Sequence, residues 1–299
     1  MVSFKDNLSI NLDITKTCTL QCPACFRQND NFKNLKSIYS DMPIEDFIKV
    51  SNYFKHIEFC GTIGDPIFHP KFIDMLEITS NKNISVKIAN SASHKSRKWY
   101  LEAFKANPSA LWVFGIDGLP SESHKYRKNQ DGEKLFEVML EAQKMGVKVE
   151  WQYLIFNYNE TSIKQSKILA DKHNLKLNIF KTKRHGSLVP SQKHINYIDD
   201  QKTQKISPRC LNGRDLGHSA MGYITPCCWF GDVNVEKKYP KLCNETTKIS
   251  NINTIEEIFN TPGWKEYEQI LINAQNKAFK MCWDKCGKVN NKSKILYEA

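Results

Sequence analysis

The sequence has no long apolar run and no sign of an export signal. None of its 299 residues lies in a stretch that approaches the roughly 20 consecutive apolar residues of a membrane-spanning helix. The segment Met1–Asp6 also lacks the apolar core of a signal peptide. The hydrophobic content of 40% and the charged content of 25% are typical of a globular protein. We therefore expect a cytoplasmic protein with no membrane partner.

Cysteine is missing from the middle of the chain, since none occurs between Cys60 and Cys210. The ten cysteines consequently fall into two groups, at residues 18–60 and 210–286. In a reducing cytosol, clustered cysteines are metal ligands more often than disulfide partners. The gap therefore predicts two separate metal-binding regions. Cys60 stands apart from its group and is predicted to pack as a small buried residue.

A short loop carries the other three cysteines of the first group, Cys18, Cys22 and Cys25. Three thiolates at offsets of four and three can each hold one iron of a cubic cluster, and the fourth iron is then left without a protein ligand. An electron-transfer cluster, in contrast, is closed by four cysteines. A zinc knuckle is the alternative, because closely spaced cysteines often hold structural zinc. Zinc would need a fourth ligand nearby, and residues 26–55 contain no other Cys and no His.

The C-x3-C-x2-C spacing of this loop resembles the signature of the radical S-adenosylmethionine (SAM) enzymes. The resemblance implies a 4Fe–4S cluster whose open iron chelates the amino and carboxylate groups of SAM. An electron from the reduced cluster would cleave SAM to a 5′-deoxyadenosyl radical, which abstracts hydrogen from a substrate. A protein electron donor such as flavodoxin or ferredoxin is implied as a partner.

Strand-like and helix-like segments alternate in the first two-thirds of the chain, which predicts an α/β fold with parallel strands. The predicted strands are Ser9–Thr15, His56–Cys60, Ile84–Ala89, Leu111–Ile116, Val147–Phe156 and Leu175–Phe180. Six such β/α units correspond to the partial (β/α)6 barrel, similar to a TIM barrel, of the resembled family. The site of an α/β barrel lies at the C-terminal ends of its strands. The cysteine loop follows the first predicted strand and falls at that end.

Two further stretches resemble SAM-binding motifs of the family. Gly61, Gly64 and Asp65 follow the second predicted strand and resemble the Gly-Gly-Glu-Pro motif, whose backbone meets the SAM amino group. Its small residues let the backbone approach closely. Asn90 follows the third strand, where the family often has Thr-Asn-Gly, and is a candidate hydrogen-bond partner of SAM. From the residues alone, a tight turn around Gly64 and a turn-capping role for Asn90 stay open as alternatives.

Three more residues are assigned to SAM through the same resemblance. Asp117 lies in a stretch similar to a Ser-x-Asp-Gly motif, with Gly115 in place of the serine, and would hold the ribose hydroxyls. Arg127 would neutralise the SAM carboxylate by charge-assisted hydrogen bonds, and a surface arginine is the alternative. Asn159 ends the fifth strand, where the family often places a SAM-contacting asparagine. Phe26 is the candidate for packing on adenine.

The second cysteine group resembles the SPASM or shortened twitch extension of radical SAM enzymes, which carries auxiliary 4Fe–4S clusters. Only six cysteines follow residue 200, too few for a two-cluster extension. We therefore predict one auxiliary cluster, and its four assigned ligands are Cys210, Cys227, Cys282 and Cys286. Either of the two remaining cysteines, Cys228 and Cys243, could replace one of these ligands. Zinc on the same four thiolates is the alternative.

These patterns divide the chain into four parts. Residues 1–182 are the predicted barrel core, and residues 183–208 are a polar linker. Residues 209–287 form a small cysteine-rich iron–sulfur domain with a hairpin before Cys227 and a helix at Thr254–Ile270. Residues 288–299 are a tail.

The resemblance implies modification of a peptide or oxidation of a small molecule. A second hypothesis is an RNA-modifying radical enzyme. It rests on the net charge of +11 and on the basic clusters at Lys181–His185 and Lys280–Lys294. A third is a binding module with two zinc sites and no enzymatic activity.

Overall fold

The computed structural model describes residues 3–28, 40–60, 63–182, 186–191, 205–211, 215–231 and 234–287. These residues contain eight strands of one sheet. The strands are β1 (Ser9–Leu12), β2 (His56–Phe59), β3 (Ser85–Asn90), β4 (Leu111–Gly115), β5 (Lys148–Leu154), β6 (Lys176–Phe180), β7 (Leu216–Ser219) and β8 (Tyr223–Thr225). The predicted tail, and most of the predicted linker, lie outside the described residues.

The sheet is open and almost entirely parallel. Its strand order is β6–β5–β4–β3–β2–β1–β7–β8. Neighbouring strands from β1 to β6 are all parallel, as is the β1–β7 pair. Only β8 runs antiparallel, as the second strand of a hairpin with β7. The predicted α/β fold is therefore confirmed, with a sheet that does not close on itself, and the predicted hairpin is confirmed as well.

Helices connect the parallel strands, because a parallel pair needs a crossover connection. The connecting helices are α1 (Ile44–Tyr53), α2 (Phe72–Asn81), α3 (Arg97–Ala106), α4 (Gly132–Lys144) and α5 (Ile163–Lys172). Side-chain caps set the starts of α3 and α4: Ser96 accepts a hydrogen bond from the Trp99 amide, and Asp131 accepts one from the Lys134 amide. None of the helices in the described residues is long and apolar enough to cross a membrane.

The main core lies between the sheet and these helices. Along β3, buried and more exposed residues alternate, as expected for a strand with two different faces. Trp112 of β4 packs on Phe104 of α3, with ring centroids 5.0 Å apart, and Phe59 of β2 packs on Phe72 of α2 at 5.3 Å. The side chains that alternate with these buried residues along each strand lie on the opposite face of the sheet. Examples are Glu58 of β2 and Lys87 of β3, which are paired in register. We call this opposite face the inner face.

In the described residues, the C-terminal part adds four α-helices to the hairpin, namely α6 (Val235–Lys238), α7 (Ile255–Asn260), α8 (Pro262–Asn273) and α9 (Lys280–Cys286). The prediction of a single helix over Thr254–Ile270 is wrong, because the helical conformation is interrupted between α7 and α8. Thr261 is extended, with ψ of 149°, as expected for a residue before proline. Pro262 then starts a new helix, where its missing amide hydrogen has no cost.

Candidate functional site

The loop after β1 carries the first cysteine set. Its Cys22–Cys25 segment is a turn in which the Cys25 amide donates to the Cys22 carbonyl at 3.0 Å. Pro23 occupies the second position of this turn, where its fixed φ is favourable. The Arg27 guanidinium donates to the Cys18 carbonyl at 2.7 Å. The sequence therefore folds the loop back on itself and brings the three cysteines together.

Loops after the next three strands hold this cysteine loop in place. The Asp65 amide donates to the Thr17 carbonyl at 2.9 Å, from the loop after β2. His94, in the loop after β3, lies with its Nδ1 atom 2.7 Å from Thr19 Oγ1. Lys128 lies in the loop after β4, and its carbonyl accepts a hydrogen bond from the Gln21 amide of the cysteine loop at 3.1 Å. The cysteines are thus anchored at the C-terminal edge of the sheet.

One cavity at this edge is lined by Cys18, Cys22 and Cys25. Its other walls come from the loop after β2, from the ends of β3 and β5, and from the loop after β4. The residues that these walls contribute include Gly64, Asp65, Ser91, Arg127, Gln152 and Leu154. Burial raises the pKa of Cys18 to about 12, and the nearby Asp65 carboxylate adds to this shift. Burial likewise raises the pKa of Cys22 to about 11, which Arg127 opposes.

Gly64 and Asp65, two of the predicted SAM contacts, line the cavity. A Cβ atom on Gly64 would lie 2.1 Å from the Thr15 carbonyl oxygen, so only glycine permits this approach of the two loops. Asp65 is buried, and its Oδ2 accepts hydrogen bonds from the Ser91 and Ala92 amides at 2.8 and 2.9 Å. Burial raises its pKa to about 6, although these hydrogen bonds favour the charged form. Asp65 therefore ties the loop after β2 to the loop after β3.

Arg127 also lines the cavity and is held from behind. Its Nε lies 2.8 Å from Asp117 Oδ2 in an ion pair, and its Nη2 donates a hydrogen bond to Asp117 Oδ1 at 3.4 Å. Its Nη1 donates to Ser91 Oγ at 2.8 Å. Burial would lower the pKa of Arg127, but the Asp117 carboxylate and the Cys22 thiolate together hold it above its ordinary value. The guanidinium is a fixed cation in the cavity wall.

Three other predicted SAM contacts do not line the cavity. Asn90 is buried and donates from its side chain to the Tyr100 hydroxyl of α3 at 3.2 Å, so it is turned toward the helices. Asp117 lies behind Arg127. Asn159 closes a local turn, accepting from the Phe156 amide at 2.8 Å and donating to the Leu154 carbonyl at 3.0 Å. Gly61 lies outside the described residues.

Sequence reasoning missed Ser91, Gln152 and Leu154 as cavity residues. A Cβ atom on Gly115 would lie 2.4 Å from Ser91 Oγ and 2.9 Å from Arg127 Nη2. The glycine in place of the family's serine thus makes room for the Ser91 hydroxyl, which comes from the residue directly after the neighbouring strand β3. Ser91 stands where the family's Thr-Asn-Gly has glycine, and Gly115 stands where Ser-x-Asp-Gly has serine. This exchange of serine and glycine was a signal in the sequence that Ser91 lines the cavity. The alternation of β5 was another, because Gln152 and Leu154 share one face.

An aromatic side chain does line the cavity, but it is Tyr126 and not Phe26. The Tyr126 ring stacks on Phe156 with centroids 4.1 Å apart. Phe26 is 39% exposed and does not line this cavity.

A second cavity is lined by the cysteines of the second set. Cys282 and Cys286 lie one turn apart on α9, Cys210 lies in the 3₁₀ turn before β7, and Cys227 follows β8. Burial raises the pKa of Cys227 to about 12, and Cys282 and Cys286 contribute to this shift. Burial, followed by Cys227, Cys282 and Cys286, also raises the pKa of Cys210. The four predicted ligands are therefore close enough to repel one another as thiolates.

The two cysteines left over by the prediction occupy different places. Cys228 lines the second cavity and is exposed. Desolvation by the protein around its sulfur raises its pKa, and so do the carboxylates of Asp215 and Glu58. Cys243 is buried and does not line the cavity. In the first group, Cys60 is half-buried, so the prediction that it is buried is wrong.

Both sets have the donor chemistry of a thiolate-ligated metal centre, since soft sulfur donors select iron–sulfur clusters and zinc. In the described part of the chain, no group of three or more His, Cys, Asp or Glu side chains is already arranged to hold a metal ion. The cysteines of each set therefore share a cavity and not a finished ligand cage.

Comparison with known proteins shows what the chain resembles. No family model matches it. The tungsten-containing aldehyde ferredoxin oxidoreductase cofactor-modifying protein of Pyrococcus furiosus is 25% identical over 115 residues. This match covers 37% of the chain and 31% of that relative, so the chain matches about a third of the relative's length.

Two solved structures share the fold over most of the chain. Streptococcus suis SuiB bound to S-adenosylmethionine has a TM-score of 0.64 and 11% identity, covering 88% of this chain and 68% of SuiB. The enzyme anSMEcpe with bound AdoMet has a TM-score of 0.57 and 13% identity, covering 95% and 91% of the two chains. These likenesses confirm the resemblance predicted from the cysteine loop at the level of the fold.

Proposed function

We propose that this chain, which has the fold of the radical SAM enzymes, is an enzyme that cleaves SAM reductively and abstracts hydrogen from a substrate. The observation that carries the proposal is the single cavity shared by Cys18, Cys22, Cys25 and Arg127 at the C-terminal edge of the sheet. When bound by the three cysteines, a 4Fe–4S cluster with one open iron would supply the electron for cleavage. An electron donor such as flavodoxin or ferredoxin would recharge it.

The residues of this cavity have separate tasks in the proposal. Arg127 presents a cation, held by Asp117 and Ser91, to the SAM carboxylate. Gly64 lets the backbone after β2 come close to the cysteine loop. Leu154 and the Tyr126 ring, also in the cavity wall, exclude water from the reacting region. Asp117, Asn90 and Asn159 position the walls from behind.

We assign residues 209–287 to an auxiliary domain that holds a second 4Fe–4S cluster. The assignment is supported by the shared cavity of Cys210, Cys227, Cys282 and Cys286. Because Cys243 is buried away from this cavity, the geometry favours Cys228 over Cys243 as a replacement ligand. Zinc is the competing occupant, since four thiolates suit it equally well.

A peptide is the preferred substrate. SuiB has been solved with the precursor peptide SuiA, and anSMEcpe with a Cp18Cys peptide. Both share the fold of this chain, at 12% and 14% identity. Oxidation of a small molecule is the alternative reaction.

The experiment is to incubate anaerobically purified protein with SAM and dithionite and to measure 5′-deoxyadenosine. We expect about eight irons per chain, from two four-iron clusters, and formation of the nucleoside. Cys22→Ala should abolish the product, whereas the matched variant Cys243→Ala, which changes a buried cysteine outside both cavities, should retain it. Two zinc ions per chain, or product formation by Cys22→Ala, would contradict the proposal.

A further inference from the structure

We propose that Tyr267 raises the reduction potential of the auxiliary centre by donating a hydrogen bond to the sulfur of Cys282. The inference rests on the proposed ligation of an iron–sulfur cluster by the second cysteine set. Tyr267 lies on α8 and is 3% exposed. Its hydroxyl oxygen is 2.8 Å from Cys282 Sγ. A metal-bound cysteine sulfur carries no proton, so within this pair only the phenol can donate.

The surrounding rings, and not the sulfur, fix the direction of the hydroxyl. The Tyr267 ring packs on Phe279 with centroids 4.7 Å apart, and it lies 6.4 Å from both Phe4 and Phe230. Phe279 also contacts Phe230 at 5.7 Å. A phenylalanine at position 267 would keep these contacts, because it differs from tyrosine only in the hydroxyl group.

The two sides of the second cavity differ in their access to water. On the Tyr267 side, aromatic rings surround the tyrosine, which is 3% exposed, and the hydrogen bond is partly buried. On the other side, Cys228 is exposed and Trp229 is 51% exposed, with Lys285 Nζ 3.5 Å from the indole ring centroid. A hydrogen bond in an environment of low dielectric constant is stronger than one in water. The partly buried hydrogen bond between Tyr267 and Cys282 is therefore stronger than the same contact would be in water.

Hydrogen bonds to the sulfur atoms are one of the means by which a protein sets the potential of an iron–sulfur centre. One-electron reduction adds negative charge to the cluster and its thiolate ligands. A donor that points at a ligand sulfur stabilises this extra charge, and so favours the reduced form. Loss of the phenol should make the centre about tenfold harder to reduce, which for one electron is about 59 mV.

The test is an anaerobic redox titration, followed by electron paramagnetic resonance, of the full chain carrying Cys18→Ala, Cys22→Ala and Cys25→Ala. In this parent only the auxiliary centre can hold iron. Adding Tyr267→Phe should lower the midpoint potential. The matched control is Tyr223→Phe, since the buried Tyr223 hydroxyl donates to Glu236 Oε1 at 2.6 Å and not to a sulfur. The control should leave the midpoint unchanged.

A second experiment should shift the midpoint potential in the opposite direction. Biosynthetic incorporation of 3-fluorotyrosine makes the phenol a stronger donor with little change in shape, so it should raise the midpoint of the parent, and Tyr267→Phe should remove that rise. An unchanged midpoint in iron-loaded Tyr267→Phe, or equal shifts in Tyr267→Phe and Tyr223→Phe, would overturn the inference alone. A parent that binds zinc or no metal would overturn the proposed ligation and the inference together.

Discussion

The two cysteine sets differ in how the chain brings them together. Cys18, Cys22 and Cys25 lie within eight consecutive residues and are gathered by a local turn, which neighbouring loops then clamp. Cys210, Cys227 and the pair on α9 come from separate segments and meet only through packing of the C-terminal part. The first set is therefore a property of one loop. The second depends on tertiary structure, as does its contact with Tyr267.

The largest expected effect is the loss of one metal centre, but not the other, when a single cysteine is replaced. Cys22→Ala should reduce 5′-deoxyadenosine formation to background while leaving the auxiliary iron in place, because the two cavities share no residue. Cys282→Ala should do the reverse, losing auxiliary iron and retaining SAM cleavage. Iron content and nucleoside formation, measured on both variants, check this. Loss of both metal centres in either variant would show that the sets are not independent.

The cavity of the first set depends on the buried ion pair between Arg127 and Asp117. Asp117→Asn should destabilise the protein by about 3–5 kcal/mol, because it leaves the Arg127 charge buried without its partner. Lys176→Met, which removes the half-exposed partner of Glu150, should cost no more than about 1 kcal/mol. Chemical denaturation of the two variants compares the costs, and equal values would contradict the role given to Asp117.

Acid should reduce the stabilising contribution of His218, which lies where β7 packs beside β1. His218 of β7 is buried and its Nδ1 lies 3.1 Å from the Asp13 carbonyl oxygen. Burial lowers its pKa to about 4, from 6.5 in the unfolded chain. The unfolded chain therefore binds a proton at this residue that the folded chain does not, so the contribution of His218 to stability is complete above pH 6.5 and falls as the pH drops toward 4.

The loss should reach about 3 kcal/mol. Unfolding free energies measured between pH 7 and pH 4 for the wild type and His218→Gln check this prediction. The glutamine variant should lose less stability over this range, and an identical pH profile would show that His218 does not contribute.

The smallest effect concerns the packing of Gly115 at the end of β4 against Ser91, the residue after β3. Gly115→Ser should cost about 1–3 kcal/mol, because its Cβ would meet Ser91 Oγ and Arg127. Ser91→Gly should lose the hydrogen bond from Arg127. The double variant should be more stable than the sum of the two losses implies, since the new hydroxyl then fills the space left by the old one. Thermal unfolding of all three measures this coupling, and strict additivity would contradict it.

Several outcomes show where sequence reasoning succeeds. The six barrel strands lie within the predicted segments or one residue beyond, because β-branched and apolar runs between turns are a local signal. The hairpin before Cys227 was equally readable. The helix break at Pro262 was missed, although its signal was present, because the apolar spacing continued across the proline.

The site was only partly readable. Gly64, Asp65 and Arg127, three predicted SAM contacts, line the cavity, whereas Asn90 is turned toward α3 and Ser91, the next residue, lines the cavity. Successive side chains of a strand point to opposite faces, so an error of one residue changes the face. A motif match indicates the correct turn but does not say which of two neighbours faces the cavity.

By itself, the sequence determined the cysteine spacing, the order of the β/α units and the turn that gathers the first set, since these depend on neighbours in the chain. Tertiary structure alone decided that β7 pairs with β1, that four distant cysteines line one cavity, and that Tyr267 reaches Cys282. The physical reason is that these contacts join residues far apart in the chain. Their geometry follows from strand register and packing, which no local pattern encodes.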